Sequence, residues 1–376
     1  MHVVQLNYAI DAALSDPDEV LARYRTLTGW SDAVAAAGAG RMSVVQRFQR
    51  DARIVRNGIE YTFCRSSSVQ HAVASAQPDV VHVNGLIFPA QTWLLRQRLA
   101  APTAIVVQDH GGGVPDSRLA PLGRAIRRRM LGAEDAFLFA AAGQSEAWRL
   151  AGLIPPDRRV YEVMEASTTF RPMPRADARL ASGVDGSPAL LWVGRLNANK
   201  DPLTVLDGFE ETAIDLPAAV LTMVYGSDDL LPAVRTRVQS SPALRDRVRL
   251  VGPVRHDLMP AFYSAADLFV IGSHHEGSGY ALLEACACGV LPVVPDIPSF
   301  RAITAGGSVG ALWTPGDAMA FARALVTVAR SDRALARTRM AEHFDRVLSW
   351  SAIGRLGVTA YRDALATRRA RLSDRP

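Results

Sequence analysis

Short apolar runs alternate along the chain with longer stretches in which apolar residues recur at helical spacing. A run of about four to eight apolar residues between turn signals predicts a buried strand, and an amphipathic stretch predicts a helix. In the first half, the predicted strands are 2–6, 43–48, 59–63, 79–83 and 103–107, and the main predicted helices are 19–37 and 92–99. This alternation favours a parallel, doubly wound α/β sheet.

A stretch rich in proline and glycine, 171–188, interrupts the alternation and predicts a domain boundary. The predicted strands beyond it are 189–193, 220–225, 248–251, 268–271 and 291–294, and the chain is predicted to be mostly helical from residue 317 onward. We therefore divide the chain into two α/β domains, 1–185 and 186–345, followed by a C-terminal segment, 346–376. A chain of 376 residues is long enough to bury two cores.

The strand predicted at 268–271 leads into a turn that carries Glu276, Gly277 and Gly279, and a helix is predicted after it. Glycines in such a turn let a phosphate approach the backbone, and the start of a helix presents free N–H groups to an anion. Glu284 lies on the predicted helix, and its carboxylate is suited to accept hydrogen bonds from a ribose diol. The stretch predicts a sugar-nucleotide site; an ordinary solvent-facing loop is the alternative interpretation.

The strand predicted at 189–193 ends in a second candidate loop, which carries Arg195 and Lys200. Lys200 is the one lysine among 42 lysine and arginine residues. Because arginine serves elsewhere in the chain, we infer that Lys200 is present for its compact ammonium group. Two cations at the carboxyl end of a strand supply the counter-charge that a diphosphate needs. Two ordinary surface cations are the alternative.

The strand predicted at 103–107 ends in a loop that contains His110. Open α/β sheets bind ligands at the carboxyl ends of their strands, so His110 is a candidate site residue. Two alternatives stay open. In one, His110 only caps a turn; in the other, His-Gly-Gly-Gly is an esterase oxyanion loop and Ser145 is the nucleophile. The last glycine of the nucleophile motif is missing around Ser145, which counts against an esterase.

Charge and cysteine content narrow the cellular setting. The net charge is +5, but the arginines are dispersed rather than clustered with aromatic residues, which disfavours nucleic-acid binding. Three cysteines do not make a disulfide framework, and no signal peptide is visible. No apolar run approaches the ~20 residues of a membrane helix. We therefore expect a cytoplasmic protein.

A basic helix is predicted at 118–131, with its arginines spaced among leucine, isoleucine and methionine. The arginines are Arg124, Arg127, Arg128 and Arg129. Such a helix suits peripheral contact with an acidic surface of the inner membrane, or binding of an anionic acceptor. A solvated helix face is an equally open interpretation.

The Gly-Arg…Lys segment and the Glu-x7-Glu stretch together resemble the retaining GT-B glycosyltransferases of glycosyltransferase family 4, also described as glycosyl transferases group 1. The resemblance is strong over 189–325, weaker but continuous over 79–170, and faint before that. It implies two Rossmann-like domains with doubly wound parallel sheets that face a central cleft. The first domain would serve the acceptor and the second the nucleotide sugar, and the C-terminal helix, 350–365, would cross back to the first domain.

The resemblance also assigns roles to the candidate residues. Arg195 and Lys200 would hold the donor diphosphate, Glu276 would lie beside the transferred sugar, Glu284 would bind the ribose, and His110 would reach the donor sugar. The implied catalytic residues are Glu276 and His110. The implied donor-binding residues are Arg195, Lys200, Gly277, Ser278, Gly279, Tyr280 and Glu284.

The implied reaction is transfer of a sugar from a nucleotide-diphosphate sugar to an acceptor, with retention of anomeric configuration and with neither cofactor nor metal. We slightly prefer a UDP-sugar as donor; a glycan, a lipid-linked sugar and a small metabolite are all open as acceptors. An epimerase or hydrolase of the same fold is the main alternative. A non-catalytic sugar-nucleotide-binding subunit is a second one, which the intact set of charged site residues argues against.

Two features depart from the family pattern or invite another chemistry. Family members carry a glycine pair after the first strand, whereas this chain has Asn7 and Tyr8 there, which obscures the acceptor site. His274 and His275, with the nearby Cys-x-Cys, raise a metal site as an alternative. The two cysteines lie two residues apart on a predicted helix and so face different ways, which counts against a metal.

Overall fold

The computed structural model describes residues 1–111 and 121–374. The chain forms two compact units: the first comprises Met1–Ser167 and Trp350–Pro376, and the second comprises Thr168–Ser349. Within the described residues, no helix has both the length and the apolar composition needed to cross a membrane.

The first unit is built on an eight-stranded sheet. Its strands are β1 (His2–Asn7), β2 (Arg41–Arg47), β3 (Ala52–Arg56), β4 (Ile59–Cys64), β5 (Val80–Asn84), β6 (Ala104–Gln108), β7 (Ala136–Phe139) and β8 (Arg159–Glu162). They lie in the order β3-β4-β2-β1-β5-β6-β7-β8, and only β3 pairs antiparallel to its neighbour in this described sheet. The order reverses between β1 and β5, so the predicted doubly wound topology is confirmed. Edge strand β3 and the four-residue strands β7 and β8 were not predicted, because their patterns are too exposed or too short.

Helices flank this sheet. They are α1 (Pro17–Arg23), α2 (Arg25–Ala36), α3 (Val69–Ser75), α4 (Pro89–Arg96), α5 (Pro121–Leu131) and α6 (Ala142–Leu150). The helix predicted at 19–37 is two helices, because Tyr24 leaves the helical region with ψ of 74° and donates its hydroxyl to Asp11 Oδ2 at 2.8 Å. Of the predicted basic helix, α5 is the described part, and residues 118–120 lie outside the described residues.

The second unit has a six-stranded parallel sheet. Its strands are β9 (Ala189–Gly194), β10 (Val220–Tyr225), β11 (Val248–Gly252), β12 (Leu268–Val270), β13 (Leu291–Pro295) and β14 (Ala311–Trp313). They lie in the order β11-β10-β9-β12-β13-β14, which reverses between β9 and β12. The short edge strand β14 is the one strand of this sheet that the apolar pattern did not predict.

The helices of the second unit are α7 (Arg175–Ser182), α8 (Pro202–Glu211), α9 (Leu231–Ser240), α10 (Pro242–Arg245), α11 (Met259–Ala265), α12 (Tyr280–Ala287), α13 (Pro298–Ile303), α14 (Ala318–Arg330) and α15 (Arg333–His343). A short 3₁₀ helix, His256–Leu258, precedes α11, and a π-helical segment, Phe344–Leu348, follows α15. Both units are therefore Rossmann-like, as predicted.

The units divide between Ser167 and Thr168, earlier than the boundary predicted at 185/186. The reason is the packing of α7, which contacts α11 of the second unit. Arg175 of α7 donates to both carboxylate oxygens of Asp267 at 2.6 Å. The proline- and glycine-rich stretch therefore lies inside the second unit.

The last helix, α16 (Trp350–Ser373), belongs to the first unit and packs against α2 and β6. Its Tyr361 is fully buried, and the Tyr361 hydroxyl accepts a hydrogen bond of 2.9 Å from Trp30 Nε1. The same hydroxyl also contacts Nδ1 of His82, a fully buried residue of β5. The C-terminal helix is thus part of the first unit's core.

In each unit, a buried aspartate surrounded by arginines lies directly before a strand of the sheet. Asp267 precedes β12, accepts a bond of 2.9 Å from the amide of Ala189, and is surrounded by the arginines Arg175, Arg179, Arg333 and Arg337. Asp135 precedes β7, accepts a bond of 2.9 Å from the amide of Ile105, and is surrounded by Arg96, Arg368 and Arg371. Part of the chain's arginine content is therefore structural.

Candidate active site

The loops after β9 and β12 meet in the second unit at the point where the strand order reverses. β9 and β12 are neighbours in the sheet, and the carboxyl ends of strands at such a reversal are where open α/β sheets bind ligands. The loop after β9 carries Arg195 and Lys200, and the loop after β12 carries Glu276. The two sequence motifs are therefore brought together as one candidate site in this unit.

Asn199 joins the two loops through both of its amide atoms. Its Oδ1 accepts from the amide of His275 at 3.1 Å, and its Nδ2 donates to the carbonyl of His275 at 3.0 Å. The backbones also approach closely at Gly272, where a Cβ would lie 2.5 Å from the carbonyl oxygen of Asp201. A side chain at position 272 would push the loops apart, so glycine is required there.

Lys200 and Glu276 form an ion pair across the joined loops, between Nζ and Oε1. Both side chains are mostly buried, with 16% and 13% of their surface exposed. Ser273, which is fully buried, donates its hydroxyl to the same Oε1 at 2.7 Å. This fixes the carboxylate of Glu276 and places an ammonium group at the carboxyl edge of the sheet.

Arg195 lies on the same edge, directly after β9, and its side chain is exposed. Among the residues that the structure describes, Arg195 makes no ion pair. The loop after β9 thus carries an exposed guanidinium and a mostly buried ammonium at the same edge of the sheet, which is a suitable setting for an additional anion.

The start of α12 provides backbone donors beside Glu276. Gly279 is the residue before the helix and has a left-handed conformation, with φ of 62°. Gly279 has no side chain to cap α12, and the amides and dipole at the start of a helix favour an anion. Ser278 is buried, and Tyr280 is 40% exposed at the first helical position.

Glu284 lies one helical turn further along α12, and both of its carboxylate oxygens have protein partners. Oε1 contacts Nε2 of His256 at 2.7 Å, and Oε2 accepts from the hydroxyl of Tyr263 at 2.9 Å. Burial, together with this carboxylate, raises the pKa of Tyr263 well above its usual value, so the phenol stays a donor. The ring of His256 packs against Phe170 at 4.8 Å between centroids.

His256 and Tyr263 were not predicted as site residues. Tyr263 stands in an apolar helix and His256 in a polar turn, and neither position forms a motif with Glu284 in the sequence. Only the packing of α11 against α12 brings them to the carboxylate. No signal in the sequence alone identifies this contact.

His110 follows β6 of the first unit, and its Nδ1 is paired with Glu165 Oε2. Burial lowers the pKa of His110, but Glu165 and the nearby Asp109 outweigh it, so the pKa is raised above the ordinary value. The pairing with Glu165 therefore favours the charged imidazole more than in an isolated histidine. Glu165 was not predicted, because it follows a short edge strand and carries no motif.

The loop after β1 forms a tight turn without the glycine pair of the family pattern. Asn7 Nδ2 donates to Gln46 Oε1 at 2.7 Å, and Gln46 Nε2 donates to the carbonyl of Ala9 at 2.8 Å. The ring of Tyr8 is 4% exposed and packs against Phe88 at 5.5 Å. Side chains rather than glycines therefore hold this turn.

The structure also shows where the residues of the alternative esterase site lie. Ser145 is buried inside α6 and donates its hydroxyl to the carbonyl of Ala142 at 2.7 Å, so it is not presented as a nucleophile; Gly112 and Gly113 of the suggested oxyanion loop lie outside the described residues.

The residues of the alternative metal site are engaged within the protein. His274 Nε2 lies 3.0 Å from Asp201 Oδ2. Cys286 and Cys288 are buried thiols whose pKa values burial raises. Over residues 1–111 and 121–374, no group of three or more metal-ligating side chains is found.

Comparisons with known proteins agree with this geometry. The sequence model of the family described as glycosyl transferases group 1 matches residues 187–331. The D-inositol 3-phosphate glycosyltransferase of Xylanimonas cellulosilytica is 27% identical over 318 residues, which cover 78% of this chain and 74% of that protein. The mannosylfructose-phosphate synthase of Agrobacterium fabrum is 34% identical over 166 residues, 41% of this chain and 34% of that protein.

Among solved structures, sucrose-phosphate synthase from Thermosynechococcus elongatus is similar with a TM-score of 0.67 at 20% identity, over 97% of this chain and 100% of that chain. At this identity, the likeness shows the fold, and that fold is GT-B. From the topology of the two sheets, the joined loops of the second unit and these likenesses, we conclude that the chain is a glycosyltransferase of the GT-B type whose residues 187–331 belong to the glycosyl transferases group 1 family.

Proposed function

We propose that this glycosyltransferase moves a sugar from a nucleotide-diphosphate sugar to a hydroxyl group of its acceptor, with retention of anomeric configuration and without a metal. The observation that carries the proposal is the Lys200–Glu276 pair, held by Ser273 beside the start of α12. Cationic, anionic and backbone donor groups are combined there at the switch point of the sheet.

The donor diphosphate is neutralised by this chain's own groups. Arg195 offers a planar fork and Lys200 a point charge, and the amides at the start of α12 donate to the phosphate oxygens. Together they stabilise the charge that develops as the nucleoside diphosphate leaves. This supply of positive charge is the reason for proposing a reaction without a metal.

Glu284 binds the ribose of the donor. Its carboxylate already accepts from Tyr263 and contacts His256, yet each carboxylate oxygen has two acceptor positions. One position on each oxygen can therefore serve a ribose hydroxyl, while the protein partners hold the carboxylate in place.

The contacts of Glu276 favour a transfer in which the acceptor attacks from the same face of the sugar that the diphosphate leaves. Its Oε1 is bound to an ammonium group and a hydroxyl, which weakens it as a nucleophile for a double displacement. We propose instead that the acceptor oxygen bonds to the anomeric carbon on the face that the diphosphate leaves. The anomeric carbon–phosphate oxygen bond breaks, and the leaving phosphate oxygen takes the acceptor's proton. Glu276 lies beside the sugar and offsets its developing positive charge.

The acceptor we propose first is a small phosphorylated polyol or sugar. The two relatives above are named for D-inositol 3-phosphate and for mannosylfructose phosphate. A glycan and a lipid-linked sugar are the other acceptors to include in an assay. As donor, we propose a UDP-sugar before GDP-mannose.

A thermal-shift screen with UDP, GDP and their sugars tests the donor, because a ligand at a hundred times its dissociation constant stabilises the folded protein by ~2.7 kcal/mol. Lys200→Ala should abolish the shift, and Arg235→Ala, at an exposed arginine of α9 in the same unit, should leave it intact. Product analysis by NMR with the donor that binds then gives the anomeric configuration. An inverted linkage would end the proposed mechanism.

Two further arms separate the alternatives. Epimerisation or rapid hydrolysis of the nucleotide sugar without any acceptor would support the epimerase or hydrolase. Tight donor binding with no turnover, across phosphorylated polyols, glycans and lipid-linked sugars, would support a non-catalytic subunit. Turnover in the presence of excess EDTA is expected, and its loss would contradict the metal-free reaction.

A further inference from the structure

The two loops of the candidate site are tied to each other mainly by one residue, Asn199. Its carbonyl oxygen accepts from the amide of His274 at 2.9 Å. Its side chain continues the connection to His275, because Oδ1 accepts from the amide and Nδ2 donates to the carbonyl of that residue. A single residue of the loop after β9 is thus bonded to two successive residues of the loop after β12.

Asp201 adds another tie and connects it to the start of α8. Its Oδ2 lies 3.0 Å from Nε2 of His274; because an ionised carboxylate can only accept, the imidazole nitrogen is the donor. Its Oδ1 accepts from the amide of Thr204 at 3.2 Å and so caps α8. These two bonds hold Asp201 in a left-handed conformation, with φ of 38°, which few residues other than glycine adopt. We call the contacts between the following four residues the loop clamp: Asn199, Asp201, His274 and His275.

The loop clamp lies directly beside the Lys200–Glu276 pair. Asn199 precedes Lys200 and His275 precedes Glu276 in the sequence, so the clamp fixes the backbone next to both charged side chains. Ser273 holds the carboxylate of Glu276 within its own loop, whereas the clamp holds that loop against the loop after β9. In the free protein the ion pair is a further connection between the loops. A donor diphosphate that takes the ammonium group from Glu276 would remove this connection and leave the bonds of the clamp unchanged.

We propose that Asn199 is a positioning residue of the transferase. Through the loop clamp it holds Glu276 beside the transferred sugar after the donor has separated Glu276 from Lys200. This role rests on the proposed function. It makes Asn199 more important in the donor complex than in the free protein, where the ion pair also connects the two loops. A residue needed only for folding would act equally in both states, so the two roles can be told apart.

The coupling between the clamp and the ion pair can be measured without any ligand, by hydrogen–deuterium exchange of segment 272–279. Asn199→Ala removes both side-chain bonds to His275, and Glu276→Gln weakens the contact with Lys200. Each single variant should raise the exchange rate by no more than roughly threefold, because the other connection remains. The double variant should raise it on the order of thirtyfold, which exceeds the product of the two single effects. A double variant that shows only that product would overturn the proposed role.

Steady-state kinetics with the donor that binds supply the second measurement. Asn199→Ala should lower kcat on the order of tenfold and leave the KM for the donor within about twofold, because Lys200 still reaches the diphosphate. Its melting temperature without ligand should stay close to that of the wild type. Gln239→Ala, at an exposed amide of α9 in the same unit, is the matched control and should change neither kcat nor the exchange of 272–279.

The outcomes separate the role of Asn199 from the proposed function. An unchanged kcat in Asn199→Ala, or a loss of kcat that is matched by a lower melting temperature of the free protein, would overturn the positioning role. A wild-type chain that binds no nucleotide sugar would instead overturn the proposed function, and the catalytic part of this role with it. Missing exchange coupling in a chain that does bind its donor would overturn the positioning role alone.

Discussion

Lys200 and Glu276, 76 residues apart in the chain, are paired directly across two loops at the switch point of the second sheet. The ammonium group that we assign to the donor diphosphate is therefore already in contact with a carboxylate. A diphosphate that binds there must compete with Glu276 for Lys200. Binding would in turn free the carboxylate to face the sugar.

Replacement of Glu276 should therefore separate affinity from rate. Glu276→Gln is expected to bind the bare nucleoside diphosphate more tightly, by roughly three- to tenfold, because an amide holds Lys200 less strongly than a carboxylate does. Its turnover should fall on the order of a hundredfold, since the charge beside the sugar is lost. Calorimetry and initial rates measure the two effects. Glu211→Gln, at an exposed glutamate of α8, is the matched control; weaker binding by Glu276→Gln would contradict the competition.

Replacement of Lys200 should reduce both donor affinity and turnover. Lys200→Ala is expected to cost about 2–5 kcal/mol in donor binding, because a partly buried charge-assisted contact with the diphosphate is lost. Lys200→Arg should recover only part of this, since a planar fork does not fit a point-charge site. Calorimetry with the nucleoside diphosphate would show it. A fully active Lys200→Ala enzyme would place the diphosphate elsewhere.

Glu284 should contribute to binding of the nucleoside part of the donor and not to binding of its phosphates. Glu284→Ala is expected to weaken binding of the nucleoside diphosphate, whereas binding of inorganic pyrophosphate should stay unchanged. Tyr263→Phe removes one donor from the carboxylate, so it should weaken the nucleoside diphosphate by only about 1 kcal/mol. If Glu284→Ala weakens pyrophosphate equally, the ribose assignment is wrong.

The sequence predicted the two sheets and the strand ends that carry the candidate residues, because apolar runs and turn residues are local signals. It could not predict that Lys200 contacts Glu276, since this depends on β9 and β12 being neighbours, a long-range pairing. The same limit hid Tyr263 and Glu165, which become partners of candidate residues only through packing. The domain boundary was misplaced because proline and glycine mark irregular backbone, whereas the side chains of α7 decide which unit it joins.

Asp267 should be important for stability of the second unit. Asp267→Asn leaves four arginines around a neutral amide, so it is expected to destabilise the protein by about 3 kcal/mol, the low end for a broken buried pair because these arginines can still reach solvent. Burial opposes ionisation of Asp267, but the bonds from Arg175 and the amide of Ala189 hold its pKa below the usual value. Denaturant unfolding measures the change. The control Asp296→Asn removes an exposed pair with Arg301 and should cost less than about 1 kcal/mol; equal losses would contradict the structural role of Asp267.

His82 should make the first unit sensitive to acid. Burial lowers the pKa of His82 to about 3, whereas an unfolded histidine titrates near ~6.5. Below that value the unfolded chain takes up a proton that the folded chain does not accept. Stability should therefore fall between about pH 6.5 and pH 3, by up to ~1.4 kcal/mol per pH unit. His82→Gln should flatten this dependence in pH-resolved unfolding, and an unchanged slope would show that other groups dominate.

The contribution of His110 to stability should change with pH in the opposite direction to that of His82. Its pKa is raised by Glu165 against the effect of burial, so the folded state holds the proton more tightly than the unfolded chain does. Its contribution is complete below the unfolded pKa and is lost as the pH rises through the raised folded pKa. His110→Gln should therefore lower stability more at acidic than at neutral or higher pH. A uniform loss across pH would indicate packing rather than charge.

The contact between Trp30 and Tyr361 joins residues 331 positions apart, which has a consequence for the order in which the protein is made. While the chain is being synthesised, residues 1–167 emerge long before α16, so the apolar surface around Trp30 has nothing to cover it until the whole second unit has been added. The second unit is continuous in sequence and can complete its core earlier. Segment 168–349 expressed alone should unfold cooperatively, whereas 1–167 alone should need residues 350–373 added in trans before it resists proteolysis. For this protein, the half that is synthesised first is expected to be the half that finishes folding last.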